Sequence, residues 1–151
     1  RAMYNVCLRM LRHEHDAEDL LQNSFVDVFN KLHTFRYQSS VGAWIKRIVV
    51  NNCINHLKRN RLKLEELEDR FVADEPDQAG ITTDDLSLSV ELLKRGVQQL
   101  PDGYRVVFTL YAMEGYDHKE IAEILDVSEA TSKSQYSRAK KKLRSIISEM
   151  S

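Results

Sequence analysis

The sequence predicts an all-α protein of two small helical domains joined by a flexible acidic linker, and three observations carry that expectation. Only two prolines and five glycines interrupt 151 residues. Apolar residues recur at helical spacing along the chain, with no convincing alternation of period two. Charge is partitioned: residues 1–61 hold ten basic and five acidic residues, 62–90 two and nine, and 91–151 ten and nine. A total of −1 therefore conceals a basic module at +5, an acidic connector at −7 and a mixed module at +1 with a basic end. The boundaries that follow are 1–61, 62–85 and 86–151. Modules of about sixty residues can just support their own cores, so modest intrinsic stability is expected, raised by partners.

In the first module a helix is expected to start after Asp16, with Glu18 and Asp19 suiting its positive N-terminal end. Leu21, Phe25, Val28, Phe29 and Leu32 form its expected buried stripe. Asp19, Gln22, Asn23, Val26 and Asp27 form its outer side. A second long helix runs from about Ser40 to Arg61, with Trp44, Ile45, Ile48 and Val49 packed inward. It leaves Lys46, Arg47, Lys58, Arg59 and Arg61 for a polyanion. Between the two lies the loop Phe35-Arg36-Tyr37-Gln38-Ser39-Ser40, rich in aromatic, guanidinium, amide and hydroxyl groups. The spacing of Trp44 with Ile45 and Ile48 places it in the core, and Tyr37 is the exposed aromatic.

Residues 62–85, rich in Asp and Glu and holding Pro76 and Gly80, read as the linker, with Leu64, Leu67 and Phe71 able to form a short helix. An acidic tether beside basic surfaces would also discourage stray nucleic-acid binding. Helices resume from Asp85 to Leu100, stop at Pro101, and continue through Val106, Val107, Leu110 and Met113.

The last third carries the strongest functional signal. Asp117 can cap a helix, with Glu120 three residues on completing a capping box, and Ile121, Ala122, Ile124 and Leu125 give that helix an apolar side. Ala122 is small enough to admit a close neighbour. Asp126 falls where the chain must turn, and Asp is among the few non-glycine residues that tolerate a left-handed conformation. Ser128 caps the helix that follows. On that helix Ser132, Tyr136, Ala139 and Leu143 share an inward face. Lys133, Ser134, Ser137, Arg138 and Lys141 share the other, where side chains can donate to base edges and phosphates in a major groove. Six Lys or Arg residues and one acid lie between Glu129 and Arg144. A basic helix alone could be a solvated end favoured by the macrodipole; the capped helix before it turns the reading toward DNA.

Other classes find little support. No apolar run reaches the length of a membrane span, and no signal peptide is visible. Arg1 falls inside a helical pattern, so the natural chain is expected to begin earlier. Cys7 and Cys53 lack metal or redox spacing and read as buried thiols of a reducing compartment. His13 and His15 diverge on a helix, so no metal site is expected, and no cofactor is implied. An independent helix-turn-helix regulator would need a dimerisation element to set half-site spacing, and none is evident. A nucleic-acid enzyme would need a phosphate loop, metal cluster or nucleophile signature, none of which occurs at recognisable spacing.

Three stretches in order, Asp16-Ala17-Glu18-Asp19-Leu20-Leu21-Gln22-Asn23-Ser24-Phe25, Ala43-Trp44-Ile45-Lys46-Arg47-Ile48, and Leu100-Pro101 through Arg138-Ala139-Lys140-Lys141-Lys142-Leu143, resemble a group IV, or extracytoplasmic-function, sigma factor of bacterial RNA polymerase. The resemblance implies a three-to-four-helix domain 2 and a helix-turn-helix domain 4, acting without catalysis in the cytoplasm at the nucleoid. It implies that core polymerase is bound through the clamp of its largest subunit, by Asp19, Gln22, Asn23 and Val26, and through the flap of the second-largest. For Asp19 simple helix capping is an equal alternative, and Asn23 stands where the family usually has Glu. Promoter melting needs a pocket for an unstacked base and a basic track for phosphates. By resemblance Arg36, Tyr37, Gln38, Ser39, Ser40 and Asn51 serve the −10 element, and Arg47, Lys58, Arg59 and Arg61 the adjoining backbone. Lys133, Ser134, Ser137, Arg138 and Lys141 align with the −35 reading positions. Ser132 departs from the aliphatic residue usual there, which is expected to loosen helix packing. An anti-sigma factor is a further implied partner.

Overall fold

A computed structural model describes residues 2–59 and 90–150. The chain divides into two units, 1–62 and 63–151. Unit 1 holds α1 (Ala2–Leu11), α2 (Glu14–Lys31), a short 3₁₀ turn (Leu32–Thr34) and α3 (Val41–Arg59). Unit 2 holds α4 (Val90–Gln99), α5 (Asp102–Phe108), a π-helical turn (Thr109–Met113), α6 (His118–Leu125) and α7 (Glu129–Met150). Among the described residues there is no strand, as the patterning predicts. No described helix is long and apolar enough to cross a membrane. Arg61, the linker positions Leu64, Leu67 and Phe71, and the expected helix start at Asp85 lie outside the described residues.

In unit 1 the three helices pack on one another. Val6, Cys7 and Met10 of α1 meet Ala17 and Leu20 of α2 and Val49, Val50, Cys53 and Ile54 of α3 as the core. Arg12 turns the chain from α1 into α2 in the left-handed region, at φ 67°. Cys7 and Cys53 are buried without a disulfide, and hydrogen bonding from Cys53 holds the Cys7 thiol below its ordinary pKa despite burial. Two expectations are corrected. α2 starts at Glu14, before Asp16. Its buried side is Ala17, Leu20 and Ser24, whereas Leu21 and Val28 are half-buried and Phe25, Phe29 and Leu32 are 44%, 77% and 52% exposed. The stripe drawn through the largest apolar residues was rotated because small Ala17 and Ser24 occupy the close approach. Ser24 satisfies its hydroxyl by donating to the Leu20 carbonyl at 2.7 Å.

In α3 Val49 is buried as expected, and burial continues beyond it on Val50, Cys53, Ile54 and Leu57. Trp44, Ile45 and Ile48 are half-buried.

Unit 2 is built on α7, against which α4, α5 and α6 all pack. Val97, Leu100, Phe108, Ala139, Leu143 and Ile146 form its core, and Val106, Val107 and Leu110 are also buried. At Gly96 the helices α4 and α7 approach so closely that an added Cβ would lie 2.8 Å from Leu143 Cδ1. The π-helical turn ends at Met113, and Gly115 just beyond it takes a φ of 81° that suits glycine.

Candidate nucleic-acid interface and polymerase surface

The helix-turn-helix of unit 2 follows its sequence signals in detail. The Asp117 carboxylate accepts from the Glu120 backbone N–H at 2.8 Å, and Glu120 accepts in return from the Asp117 N–H at 3.1 Å. Together they satisfy two donors at the α6 N-terminus. Asp126 ends α6 in the left-handed conformation, at φ 58° and ψ 50°. Ser128 accepts from the Thr131 N–H at 3.0 Å while its hydroxyl donates to Thr131 Oγ1 at 2.8 Å, starting α7. Ile121, Ile124 and Leu125 seat α6 in the core beneath α7.

On α7, Ser132, Ala139 and Leu143 are fully buried and Tyr136 is half-buried, as the spacing predicts; Thr131, Gln135 and Ile146 join them. Lys133 and Lys141 are exposed, and Ser134, Ser137 and Arg138 are half-buried on the same side. The Ser134 and Ser137 hydroxyl oxygens are shielded from solvent without a hydrogen-bond partner, so in this conformation these residues show methylene surface. Lys140 Nζ lies 5.0 Å above the Tyr136 ring, a cation–π contact.

An aromatic group ties α6, α7 and the π-helical turn together. The Tyr111 and His118 rings stack 4.3 Å apart at 16°, Tyr136 meets Tyr111 at 4.5 Å, and Phe108 stacks on Tyr136 at 5.8 Å. Burial, then the neighbouring Tyr111, raises the Tyr136 phenol above its ordinary pKa. His118 Nδ1 lies 2.8 Å from Ser132 Oγ. Ser132 therefore does not loosen the packing; it exchanges an aliphatic contact for a hydrogen bond. Sequence reasoning missed this pair, because thirteen intervening residues and a turn separate its members and no helical spacing relates them.

In unit 1 the loop between α2 and α3 presents Tyr37 at 84% exposure, held at φ 59°. A non-glycine aromatic in this region is uncommon and costs backbone strain. Phe35 supports it, with ring centres 4.6 Å from Tyr37 and 5.1 Å from Trp44, so Trp44 anchors the loop from beneath. Arg36, Gln38, Ser39 and Ser40 are exposed beside it. Ser40 Oγ accepts from the Ala43 N–H at 3.1 Å and so opens α3, while Ser39 Oγ donates to the Ser40 carbonyl at 3.3 Å. Asn51, Lys58 and Arg59 are exposed along α3, and Arg47 is half-buried.

Between α2 and α3 lies a polar cleft of about 440 Å³, with Asp19, Asn23 and Asp27 on one wall and Asn52, His56 and Arg59 on the other. Asn52 donates from Nδ2 to Ser24 Oγ and Asp27 Oδ2, each at 3.0 Å, and so fixes the two walls. Residues expected for polymerase and for DNA thus share one cleft. Gln22 and Val26 are exposed on α2. Asp19 lies beyond the first turn of α2, where it cannot cap the helix, and pairs with His15 at 3.3 Å. The capping alternative is thereby removed. The N-cap position is His13, which makes no side-chain cap. Among the described residues no cluster of His, Cys, Asp and Glu is arranged to hold a metal ion.

Comparison with known proteins meets this geometry at both ends of the chain. The family described as Sigma-70 region 2 matches residues 1–63, and that described as Sigma-70, region 4 matches residues 91–143. The ECF RNA polymerase sigma factor SigM of Mycobacterium tuberculosis is 30% identical over 149 residues, covering 97% of this chain and 72% of the relative. SigM of Bacillus subtilis is 27% identical over 144 residues, 95% of this chain and 87% of the relative. Among solved structures, the sigma factor RpoE from Bartonella quintana, in complex with the anti-sigma factor NepR, aligns with a TM-score of 0.66 at 23% identity. It covers 97% of this chain and 90% of that one, a likeness of fold. A capped helix-turn-helix in one unit, a helical bundle in the other and two matched regions in the right order lead to one assignment: the chain belongs to the ECF RNA polymerase sigma factors, which direct promoter-dependent initiation of transcription.

Proposed function

We infer that the two units divide promoter reading between them. Residues 1–61 bind core polymerase and the −10 element and help to melt it, residues 86–151 read the −35 element, and 62–85 tether the two. The single observation that carries this reading is the helix-turn-helix of unit 2. Its turn is set by left-handed Asp126 and both its helices are capped, leaving Lys133, Arg138 and Lys141 on the side of α7 away from Ala139 and Leu143.

In unit 1, Asp19, Gln22, Asn23 and Val26 face the polymerase clamp, and unit 2 meets the flap. Tyr37, with Arg36, Gln38, Ser39, Ser40 and Asn51, receives the unstacked −10 base. Arg47, Lys58, Arg59 and Arg61 hold phosphates. The support here is the exposure of Tyr37 in a strained backbone on an aromatic base, since every nucleic-acid base offers a face for stacking. The chain contributes no catalytic group of its own and works at the nucleoid in the cytoplasm. An anti-sigma factor, the kind of protein bound to the Bartonella relative, competes for the same surfaces.

The test is run-off transcription with bacterial core polymerase on genomic fragments, with and without the chain. Discrete starts that require the chain are expected; duplex binding without core association or new starts would reduce it to an independent regulator. At residue level, Arg138→Ala is expected to cost about 1–3 kcal/mol in discrimination between promoter and mismatched −35 sequences. The measurement is competition binding of the holoenzyme. An equal loss on every sequence would make Arg138 a phosphate contact.

A further inference from the structure

Ser132 stands on α7 immediately before Lys133 and is fully buried. Its hydroxyl can reach His118 Nδ1, 2.8 Å away at the start of α6. The imidazole is held between two rings: Tyr111 of the π-helical turn stacks on it at 4.3 Å, and Tyr136 of α7 meets it edge-on at 5.8 Å and 61°. Two elements therefore converge on one side chain of a third. Its hydrogen-bond partner Ser132 lies on the helix assigned to duplex reading.

Building on that assignment of α7, we propose that His118 in its neutral form is a positioning residue for DNA recognition: Nδ1 accepts the Ser132 hydroxyl and fixes the seating of α7 that presents Lys133 and Arg138. His118 itself is not required to touch DNA. Protonation would turn Nδ1 from acceptor to donor and force the buried Ser132 hydroxyl to reverse.

The charges around the ring set the direction of the pH effect. Burial first, and Lys133 of α7 second, hold His118 below its ordinary pKa, opposed by Asp117 and by Glu129 of α7. Tyr111 and Tyr136 cover the ring, and Lys140 lies over Tyr136. The folded unit thus binds the proton less readily than the unfolded chain. The stabilisation is present above the ordinary histidine value and is lost as pH falls below it toward the depressed value. His118 is the only histidine after residue 56, so no other imidazole of unit 2 titrates with it.

The test uses the full chain assembled with bacterial core polymerase and a fluorescent duplex that this holoenzyme transcribes, with affinities compared at about pH 7.5 and about pH 5.5. His118→Asn places an amide oxygen near the position of Nδ1 and does not titrate. His118→Phe keeps the stacking and removes the acceptor. At the higher pH, His118→Asn is expected to match wild type while His118→Phe binds about fivefold more weakly, the worth of one buried hydrogen bond. At the lower pH, wild type is expected to fall behind His118→Asn and toward His118→Phe, by less than the roughly fivefold loss of His118→Phe because its depressed pKa leaves part of the imidazole neutral. Equal affinities for all three proteins at both pH values would overturn the proposal. So would acid tightening of wild type relative to His118→Asn, which would make His118 a cationic phosphate contact. Unchanged duplex binding by both Lys133→Ala and Arg138→Ala would instead remove the reading of α7, and this proposal with it.

Discussion

Asp102→Asn is expected to destabilise unit 2 by about 3 kcal/mol, the cost of taking a carboxylate partner from a buried charge. Arg105 is 1% exposed and among the largest buried side chains of the protein. Its Nη1 donates to Asp102 Oδ1 at 2.6 Å and to the Leu100 carbonyl at 3.3 Å. The guanidinium cannot neutralise itself by losing a proton, so losing the Asp102 carboxylate weighs on a charge that stays in the core. Asp102 is half exposed, and water reaching that end keeps the effect at the lower end of the range for buried pairs. Asp102 also opens α5, where a negative charge suits the helix dipole. Arg105→Met removes the charge while retaining length, and is expected to cost less than Asp102→Asn. Urea unfolding followed by circular dichroism checks both, with Trp44 fluorescence as the control, since the chain's one tryptophan lies in unit 1. Loss of less than about 0.5 kcal/mol in Asp102→Asn would show that the remaining partners satisfy the guanidinium.

The helix-turn-helix was the most legible part of the sequence because its signals are local. Asp117 with Glu120, Asp126 and Ser128 each solve a backbone problem within three or four residues, and the structure uses each as expected. Packing between distant helices was less legible. The side of α2 that faces the core was misread because Phe25 and Phe29 outweigh Ala17 and Ser24 in any apolar pattern. Helix approach, though, is governed by which residues are small, and Ser24 also receives Asn52 from α3. Exposed Phe25, Val26 and Phe29 of α2, with Leu32 of the turn after it, then form an apolar run, the kind of surface that a partner covers.

The polar pairs were illegible for a related reason. Nothing in the sequence marks Arg105 for burial, and Ser132 stands there as a defect in an inward face; Asp102, three residues away, partners the first and His118, fourteen positions away, the second. The π-helical turn left no periodic trace, yet it carries Tyr111 to His118.

Gly96→Val is expected to destabilise unit 2 by about 3 kcal/mol through overpacking, although an exposed helical glycine would gain stability from the same change. The first added carbon would lie 2.8 Å from Leu143 Cδ1 and 3.2 Å from Ile147 Cγ1. Leu143 is fully buried in the cluster with Val97, Leu100 and Phe108, so its methyl group has little room to retreat. A β-branched side chain adds two further carbons that must push α4 away from α7. Gly96→Ala brings only the first carbon, and its gain in helix propensity, about 1 kcal/mol, offsets most of the contact. Thermal melting of the unit 2 transition should separate the two variants by roughly 10 °C or more, at 4–8 °C per kcal/mol for a unit of this size. The strain also has an address. Leu143→Ala opens space at the point of contact and costs stability alone, yet in the Gly96→Val background it should cost much less, a coupling that arises only if the two positions touch. Simple additivity would place the damage elsewhere in α4. Because α7 also carries Lys133 and Arg138, movement of that helix is expected to weaken −35 binding by Gly96→Val even below its melting temperature, with no DNA-facing residue changed.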